Sequence, residues 1–338
     1  MANLFEVRGL KKYFPVGTNL QFVNLKMFHF QMRRRFFTKE EEWVRAVDGV
    51  SFKVDDREVF GLVGESGCGK TTIGRLIVKL MEPTEGDIYL DGKNIVKLSK
   101  NELKDFRKNV GMIFQDPYDS LNPRFTILES VKEPLDIHRI GEREDRIKKV
   151  VSILKEVGLN PEKSFLKRYP HELSGGQRQR VAIARTLIVN PKMVIADEPC
   201  SMLDVSIRAE TMKMMIKLKE EFGLSILYIT HDISEARNIT DSMAVMYLGK
   251  IVESGRTDDI IENPSHPYSK ALISVVPDID PDIKRGKIEL LGGVPSSSNI
   301  PKGCRFNPRC PYAMDICREK EPDYIRVEKD HIASCHLL

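Results

Sequence analysis

A glycine-rich segment at residues 64–72 constrains this chain more than any other part of its sequence. It fits the pattern G-x-x-x-x-G-K-[ST], follows a short apolar run that predicts a buried strand, and precedes a predicted helix. Glycines allow several backbone N–H groups to converge on phosphate oxygens, and the N-terminal end of the helix adds partial positive charge. Lys70 is placed to reach the β- and γ-phosphates of a nucleotide, and the Thr71 hydroxyl to bind Mg²⁺. The predicted residues of this phosphate loop are Gly64, Glu65, Ser66, Gly67, Cys68, Gly69, Lys70, Thr71 and Thr72.

Strand and helix patterns alternate on both sides of the loop, which predicts a parallel α/β core. A change of composition predicts an inserted helical subdomain at about 116–170, and an aromatic and basic insertion at 17–42. Beyond about residue 280 the periodicity weakens, which predicts a small irregular C-terminal domain. The predicted strands are 3–16 with a turn near Phe14-Pro15, 44–54, 58–63, 110–115, 192–197 and 224–229, with hairpins at 84–98 and 243–253; the predicted helices are 143–157, 174–190, 206–222 and 232–239.

Composition narrows the class of protein. The chain has 338 residues, 41% hydrophobic and 30% charged, as in an ordinary globular protein with one large domain and additions. The net charge of +4 is small, whereas a nucleic-acid binder usually concentrates its basic charge, so nucleic acid is not an expected partner. There is no stretch of about 18 uncharged apolar residues, and the first residues lack the pattern of a signal peptide. We therefore expect the protein to stay in the cytosol.

Two further motifs fit a nucleotide site. The apolar run at 193–196 ends in Asp197 and Glu198, which are placed to hold Mg²⁺ and to orient or deprotonate a water molecule; alone, such a pair would more often be two solvated acids. A Ser-Gly-Gly sequence at the start of a predicted helix forms a second anion site. One γ-phosphate does not need two such sites from one chain, so the second is predicted to serve the nucleotide of another chain. Its residues are Leu173, Ser174, Gly175, Gly176 and Gln177.

Taken together, these motifs resemble those of ATP-binding cassette (ABC) ATPases. Residues 64–72 match the Walker A motif, 193–198 the Walker B motif and 173–177 the signature motif, in the family's order. The resemblance implies an ABC-type P-loop NTPase core with an antiparallel β subdomain. The further matches are Gln115 with the Q-loop, His231 with the switch histidine, Ser201, Leu203 and Asp204 with the D-loop, and Phe14 with the aromatic residue that stacks on adenine, for which Tyr13 is an alternative.

The resemblance also implies a mechanism. Two cassettes would sandwich two ATP molecules head to tail, with the signature motif of one chain facing the Walker A motif of the other. Glu198 would act as general base or water-positioning residue, His231 would stabilise the transition state, and Gln115 would couple the nucleotide to a membrane partner. The implied Mg²⁺ ligands are Thr71, Gln115 and Asp197.

Three longer segments resemble ATPases of oligopeptide, dipeptide and nickel importers. They lie at 115–124, 263–272 and 301–311, so the resemblance covers an ATPase domain at 1–260 and a C-terminal domain at 261–338. It implies a peripheral protein on the cytoplasmic face of the membrane, paired with itself or a second ATPase. Two transmembrane permease subunits and an extracytoplasmic binding protein would complete the importer. Peptides are the expected cargo, with oligosaccharide or nickel as alternatives and a soluble ABC ATPase acting on DNA or ribosomes as a remote one.

The cysteines are the last feature. Four of the six lie in the final 35 residues, where a reducing compartment favours a metal site over disulfides. The spacing lacks the close pairs of structural zinc sites, and the family resemblance favours a [4Fe–4S] cluster. Zinc with His331 or His336, or no metal at all, are the alternatives. Cys68 is interpreted as a small side chain that fits the loop. The predicted cluster ligands are Cys304, Cys310, Cys317 and Cys335.

Overall fold

The fold is known from a computed structural model, which describes residues 3–23, 36–275, 288–293 and 295–338. Two sheets form its framework. The strands are β1 (Asn3–Val23), β2 (Phe36–Asp55), β3 (Val59–Val63), β4 (Glu85–Leu90), β5 (Lys93–Asn94), β6 (Val110–Ile113), β7 (Met193–Asp197), β8 (Ser225–Thr230), β9 (Ser242–Tyr247), β10 (Lys250–Arg256), β11 (Tyr324–Glu328) and β12 (His331–Ser334).

Helices cover the sheets and form a separate helical region. They are α1 (Lys70–Ile77), α2 (Lys100–Asn109), α3 (Pro117–Ser120), α4 (Ile127–Ile137), α5 (Arg143–Glu156), α6 (Lys163–Leu166), α7 (Gly175–Leu187), α8 (Val205–Phe222), α9 (Ile233–Ile239), α10 (Thr257–Glu262), α11 (Pro267–Ser274) and α12 (Asp315–Glu319), with a 3₁₀ turn at Pro170–Glu172. Among the described helices, none is both long and apolar enough to cross a membrane.

The larger sheet carries the phosphate loop. Its order is β11-β12-β10-β9-β3-β8-β7-β6, and the strands from β9 to β6 are parallel. Every residue of β3 is buried, which explains its uninterrupted apolar sequence. Because parallel strands end at the same edge of a sheet, the loops after β3, β6, β7 and β8 lie side by side. The predicted parallel α/β core is confirmed.

The smaller sheet is antiparallel, in the order β2-β1-β4-β5. Its buried face shares one apolar core with β3 and α1, through residues such as Val47, Val50 and Ile88. The predicted hairpin around Asp91-Gly92 is confirmed, since both residues have positive φ (48° and 74°), as a tight two-residue turn requires. This sheet is the antiparallel β subdomain that the family resemblance implied.

The helical region after β6 follows the predicted pattern. Helix α7 packs against α3, α4 and α5, and their apolar faces meet in one core. Capping boxes begin α4 at Thr126 and α7 at Ser174, and each satisfies backbone N–H groups that the helix itself cannot. The long helix α7 connects this region to the sheet, because its apolar residues also pack under β6.

The N-terminal hairpin differs from the prediction. No turn occurs near Phe14-Pro15; β1 continues to Val23 and pairs with β2 back to Phe36. Register shifts at Pro15 absorb the missing N–H of proline, so the chain stays extended. The two ends of the predicted 17–42 insertion are therefore strands, while residues 24–35 lie outside the described residues.

The predicted small, irregular, Cys-rich C-terminal domain is not confirmed. Strand β12 pairs with β10, so the last strands extend the edge of the main sheet. Phe306 is buried in the same core as Tyr247 and Tyr268. Few apolar residues are available after residue 288 for a core of their own, and this segment uses the core of the ATPase domain instead.

Candidate functional site

The phosphate loop connects β3 to α1 and is enclosed by backbone from two neighbouring strands. A Cβ atom at Gly64 would lie 2.2 Å from the carbonyl oxygen of Met246, and one at Gly69 would lie 2.1 Å from that of Ala46. Both positions therefore require glycine. Lys70 is 4% exposed, and its ammonium group donates to the carbonyl oxygens of Gly64 (2.7 Å) and Glu65 (2.9 Å). The lysine thus lies within the curve of the loop, where phosphate oxygens are expected.

The predicted Mg²⁺ ligands Thr71 and Asp197 lie where helix α1 begins and strand β7 ends. At the start of α1, the Thr71 hydroxyl donates to Oδ1 of Asp197, at the end of β7, over 3.0 Å. Burial raises the pKa of Asp197, the neighbouring Glu198 charge raises it further, and the Thr71 hydrogen bond opposes both. A hydroxyl beside a carboxylate supplies the oxygen ligands that Mg²⁺ prefers. Such an ion would also lower the cost of the buried carboxylate charge.

Glu198 is held from two sides. The Gln115 amide donates to Oε2 of Glu198 over 2.8 Å, and Nδ1 of His231 lies 3.0 Å from Oε1. The Glu198 backbone has a φ of 44°, which strains a non-glycine residue, and its N–H donates to Ile229. Strained backbone of this kind concentrates at functional sites. Two predicted residues, Gln115 after β6 and His231 after β8, thus converge on the carboxylate of Glu198, which follows β7.

Four of these groups line one cavity of about 180 Å³, whereas Asp197 and His231 are not among its lining residues. Lys70, Thr71, Gln115 and Glu198 line it, with Val44 and Ala46 of β2 on another side. Ser297 also lines this cavity, although its sequence context gave no such prediction.

The predicted signature residues do not line this cavity. Ser174 begins α7, where its hydroxyl accepts from the N–H of Gln177 while the Gln177 side chain accepts from the N–H of Ser174. Leu173 is buried. A Cβ atom added at Gly175 would have no other atom within 4 Å, apart from its own helix backbone and chain neighbours. The small surface above Gly175 is therefore open to another molecule, as the in-trans prediction requires.

The predicted D-loop follows Glu198 directly. The Ser201 hydroxyl donates to the Glu198 carbonyl oxygen over 3.0 Å, Leu203 is buried, and Asp204 is exposed where α8 begins. The loop thus connects the strained glutamate to the surface.

Phe14, the residue predicted to stack on adenine, and the alternative Tyr13 both lie in strand β1. Tyr13 donates its hydroxyl to Asp48, and burial, followed by that hydrogen bond, raises the pKa of Tyr13 to about 12. Phe14 has no such tie, and the Lys12 ammonium lies 5.2 Å from its ring centroid. Phe14 therefore remains the predicted adenine contact, although it does not line the phosphate cavity.

Two residues that bind the phosphate loop were missed by the sequence reasoning. Arg309 forms an ion pair with the Glu65 side chain, and the Tyr268 hydroxyl accepts from the Glu65 N–H. Both lie more than 200 positions from Glu65, so no local motif connects them to the loop. The signal that was available is two arginines between Cys304 and Cys310, because a buried arginine requires an acidic partner.

The four C-terminal thiols lie near one another. Burial, followed by the charges of the other three cysteines, raises the pKa of Cys304 to about 11. The Cys304 N–H donates to the Cys317 carbonyl oxygen over 2.8 Å, and Cys310, Cys317 and Cys335 are buried.

Even so, the predicted [4Fe–4S] cluster is not supported. Within the described part of the chain, no three His, Cys, Asp or Glu side chains are arranged to hold a metal ion. The zinc alternative is also unsupported, because Nε2 of His331 bonds to Glu253 over 2.7 Å and Nε2 of His336 bonds to the Lys320 carbonyl over 2.9 Å.

Comparisons with known proteins identify the family. A family model described as "ABC transporter" matches residues 47–201, and one described as "Oligopeptide/dipeptide transporter, C-terminal region" matches 252–317. The oligopeptide transport ATP-binding protein AppF of Bacillus subtilis is 46% identical over 337 residues, covering 99% of this chain and 97% of that protein. The chain belongs to the ABC transporter family, among its oligopeptide and dipeptide ATP-binding proteins.

Two more relatives agree with this assignment. The dipeptide transport ATP-binding protein DppF of Haemophilus influenzae is 45% identical to this ABC protein over 319 residues. The match covers 94% of this chain and 92% of DppF. A dimeric, post-hydrolysis structure of the cassette MJ0796 with ADP and Pi superposes with a TM-score of 0.63 at 31% identity, covering 75% of this chain and 98% of that one. The predicted ABC ATPase fold and ATP hydrolase activity are thereby confirmed.

Proposed function

We propose that this ABC protein hydrolyses ATP to drive the uptake of dipeptides or oligopeptides through partner membrane subunits. The observation that carries the proposal is the convergence of Lys70, Thr71, Gln115 and Glu198 on one cavity. The peptide cargo rests on the names of the relatives, which are oligopeptide and dipeptide transport proteins. Oligosaccharide and nickel remain alternatives that the experiment below tests.

Each side chain has a definite task in this proposal. The backbone of the phosphate loop and Lys70 bind the phosphates, and Phe14 stacks on adenine. Thr71, Asp197 and Gln115 would hold Mg²⁺, which supplies charge neutralisation for the β- and γ-phosphates.

The hydrolytic group is Glu198, which orients a water molecule and accepts its proton. His231 stabilises the charge of the γ-phosphate, and Gln115 keeps the glutamate carboxylate directed into the cavity. Because positioned acid–base groups contribute about 10² to 10⁴ in rate, the loss of Glu198 alone would remove most of the activity.

The proposed partners rest on the names of the relatives and on the family resemblance. A second cassette, identical or related, places its signature residues over this cavity, and the open space next to Gly175 favours such docking. Two transmembrane permease subunits bind the pair at the cytoplasmic face of the membrane, and an extracytoplasmic binding protein delivers the cargo. Nucleic acid is not among the proposed partners.

A tagged pull-down from detergent-solubilised native membranes tests the proposal. We expect two polytopic membrane proteins and a second cassette, identified by mass spectrometry. The recovered complex is then reconstituted in vesicles and supplied with ATP and, in parallel, a dipeptide mixture, an oligosaccharide mixture or Ni²⁺. Uptake of peptides alone supports the proposal; uptake of sugar or nickel changes the cargo; recovery of only ribosomal or DNA-repair proteins contradicts the transport function.

The cofactor prediction at the four cysteines needs its own test. As placed, the thiols do not form a metal-ligand group, so no step of the mechanism passes through a cluster. Their mutual proximity and the family resemblance are what favour a [4Fe–4S] centre. Anaerobic purification with iron and acid-labile sulfide assays decides the matter: about four of each per chain would establish it. A colourless, iron-free and fully folded protein would exclude it.

A further inference from the structure

The side chain and the backbone of Glu65 are both held by the C-terminal part of the chain. The Arg309 guanidinium donates through Nη1 to Oε2 (2.7 Å) and through Nη2 to Oε1 (3.0 Å) of Glu65. The Glu65 N–H donates to the Tyr268 hydroxyl over 3.0 Å. Glu65 is the second residue of the phosphate loop, so these contacts join the loop to helix α11 and to the segment between Cys304 and Cys310.

The groups that hold Glu65 are themselves fixed by packing. Tyr268 is fully buried, and the Arg309 side chain is 8% exposed. The Tyr247 ring lies between them, with its centroid 4.7 Å from that of Tyr268 and 5.8 Å from the guanidinium of Arg309. A planar arginine fork that bonds both carboxylate oxygens defines the direction of the carboxylate as well as its position.

A second arginine fastens the same segment to the ATPase core. Arg305 donates to the Asp48 carboxylate and to the Leu248 carbonyl oxygen, and its side chain is 7% exposed. Arg305 and Arg309 are four residues apart, so the loop between Cys304 and Cys310 is anchored at both ends. The Arg309 contact is therefore held in place and is not an isolated surface ion pair, which would contribute little.

The contacts of Arg309 and Tyr268 with Glu65 also affect the groups that bind phosphate, because Glu65 itself contacts those groups. Its carbonyl oxygen accepts from Lys70 (2.9 Å) and from the Cys68 N–H (3.3 Å). A rotation of the Glu65 backbone would move both contacts together. Groups that bind a ligand need such support from a surrounding layer of residues if they are to keep their geometry.

We propose that Arg309 is a positioning residue for ATP binding, which acts with Tyr268 through Glu65 to hold the phosphate loop in its binding conformation. The inference rests on the proposed function, because it concerns the same nucleotide site. It gives the C-terminal region a direct task at that site.

The test measures the Kd for Mg-ATP of the full-length chain with a fluorescent ATP analogue. We expect Arg309→Gln and Glu65→Gln each to raise Kd about tenfold, within the range of ordinary coupling between sites. The Kd of the double variant should be no higher than that of either single variant, because both changes break the same contact. Arg309→Lys should give an intermediate Kd, since an ammonium keeps the charge but lacks the planar fork that forms two parallel bonds to the carboxylate. The matched control is Arg318→Gln, an exposed arginine of the same segment, which should leave Kd unchanged.

Several outcomes separate this inference from its alternatives. In the assembled importer, a positioning role raises the KM for ATP while kcat stays within about twofold. A lower melting temperature with an unchanged Kd would show that Arg309 only stabilises the fold, and additive effects in the double variant would contradict a path through Glu65. If Arg309→Gln does not fold, Glu65→Gln tests the ion pair from the loop side, and Tyr268→Phe, which removes the acceptor of the Glu65 N–H, should also raise Kd. A wild-type chain that binds no ATP refutes the proposed function itself.

Discussion

At the scale of single residues, Glu198 combines a strained backbone with two side-chain partners, and this combination makes its role testable. Glu198→Gln keeps the size of the side chain but removes the carboxylate that accepts a proton. We expect kcat for ATP hydrolysis to fall at least about 100-fold, while the Kd for ATP changes less than about threefold. Phosphate release and equilibrium binding of a fluorescent ATP analogue measure the two quantities.

The control for this variant is Glu328→Gln, which neutralises an exposed carboxylate on β11. Both the rate and the affinity should stay at their wild-type values. Nearly unaltered hydrolysis in Glu198→Gln would show that another group activates the water.

The residues of the site differ in how far sequence could predict them. Lys70, Thr71 and Asp197 could be proposed from the sequence because a tight loop and a strand end fix their positions within a few residues of a recognisable pattern, and Thr71 and Asp197 do lie in contact. Arg309 and Tyr268 were missed because their link to Glu65 depends on how the whole chain folds. The strained φ of Glu198 was also invisible in the sequence, because it arises from the connection between β7 and the D-loop.

At the scale of elements, a buried histidine at the start of helix α11 makes the free energy of unfolding depend on pH. His266 accepts from the Tyr268 N–H through Nδ1, and burial, followed by the charge of Lys270, lowers its pKa from 6.5 to about 3. The unfolded chain therefore binds a proton below pH 6.5 that the folded chain does not bind until about pH 3. Stability should fall with decreasing pH in this window, by about 2 kcal/mol between pH 6.5 and 5.

Urea unfolding at several pH values measures this effect. His266→Asn keeps an acceptor for the Tyr268 N–H and removes the titrating group, so its stability should change less over the same range. His171→Asn, at an exposed histidine, should keep the wild-type pH dependence. The same slope in wild type and His266→Asn would contradict the assignment.

The β1–β2 hairpin provides a second prediction at this scale. Thr18 pairs with Glu41, so residues 19–40 can be replaced by an Asn-Gly turn without a change of register. The removed sequence is aromatic and basic, which suits anionic lipid headgroups. We expect weaker binding to anionic vesicles in a sedimentation assay, with unchanged ATPase activity of the purified chain.

A full-length chain with Arg33, Arg34 and Arg35 replaced by serine distinguishes the effect of the positive charge on vesicle binding from the effect of shortening the segment. It should also bind vesicles less well. Wild-type vesicle binding by the shortened chain would support the alternative, that this segment is an ordinary solvated loop.

The elements themselves were largely predictable, with one instructive exception. Helices α5, α7 and α8 and strands β7 and β8 followed from periodicity, because each buries one defined face or both faces. Strand β11 has only exposed residues, and it exists because it pairs with β12 at the edge of the sheet. Its pairing depends on a distant partner, so sequence alone predicted an irregular domain there.

At the scale of the whole molecule, the proposed pairing of two cassettes can be tested at Gly175. Because an added side chain there has open space in its own chain, Gly175→Asp should fold with an unchanged melting temperature and bind ATP normally. Its carboxylate would repel the phosphates of the nucleotide bound to the partner cassette. We expect ATPase activity of the assembled importer to fall at least about tenfold, since about 1.4 kcal/mol of repulsion suffices.

The matched change for this variant is Gly293→Asp, which also has open space around the added side chain but lies in the C-terminal segment. Activity in that variant should equal that of the wild type. Full activity of the Gly175→Asp importer would exclude the in-trans role of the signature motif.

The distance along the chain between Glu65 and Arg309 also sets an order of events during synthesis. The two residues are 244 positions apart, and a ribosome adds about 5 to 20 residues per second. The phosphate loop thus emerges roughly 12 to 50 s before the arginine that pairs with it. Until then, a nascent chain carries the motif for ATP without the group that we propose holds it in shape. Tight nucleotide binding is thereby delayed until the segment that carries Arg309 has been made.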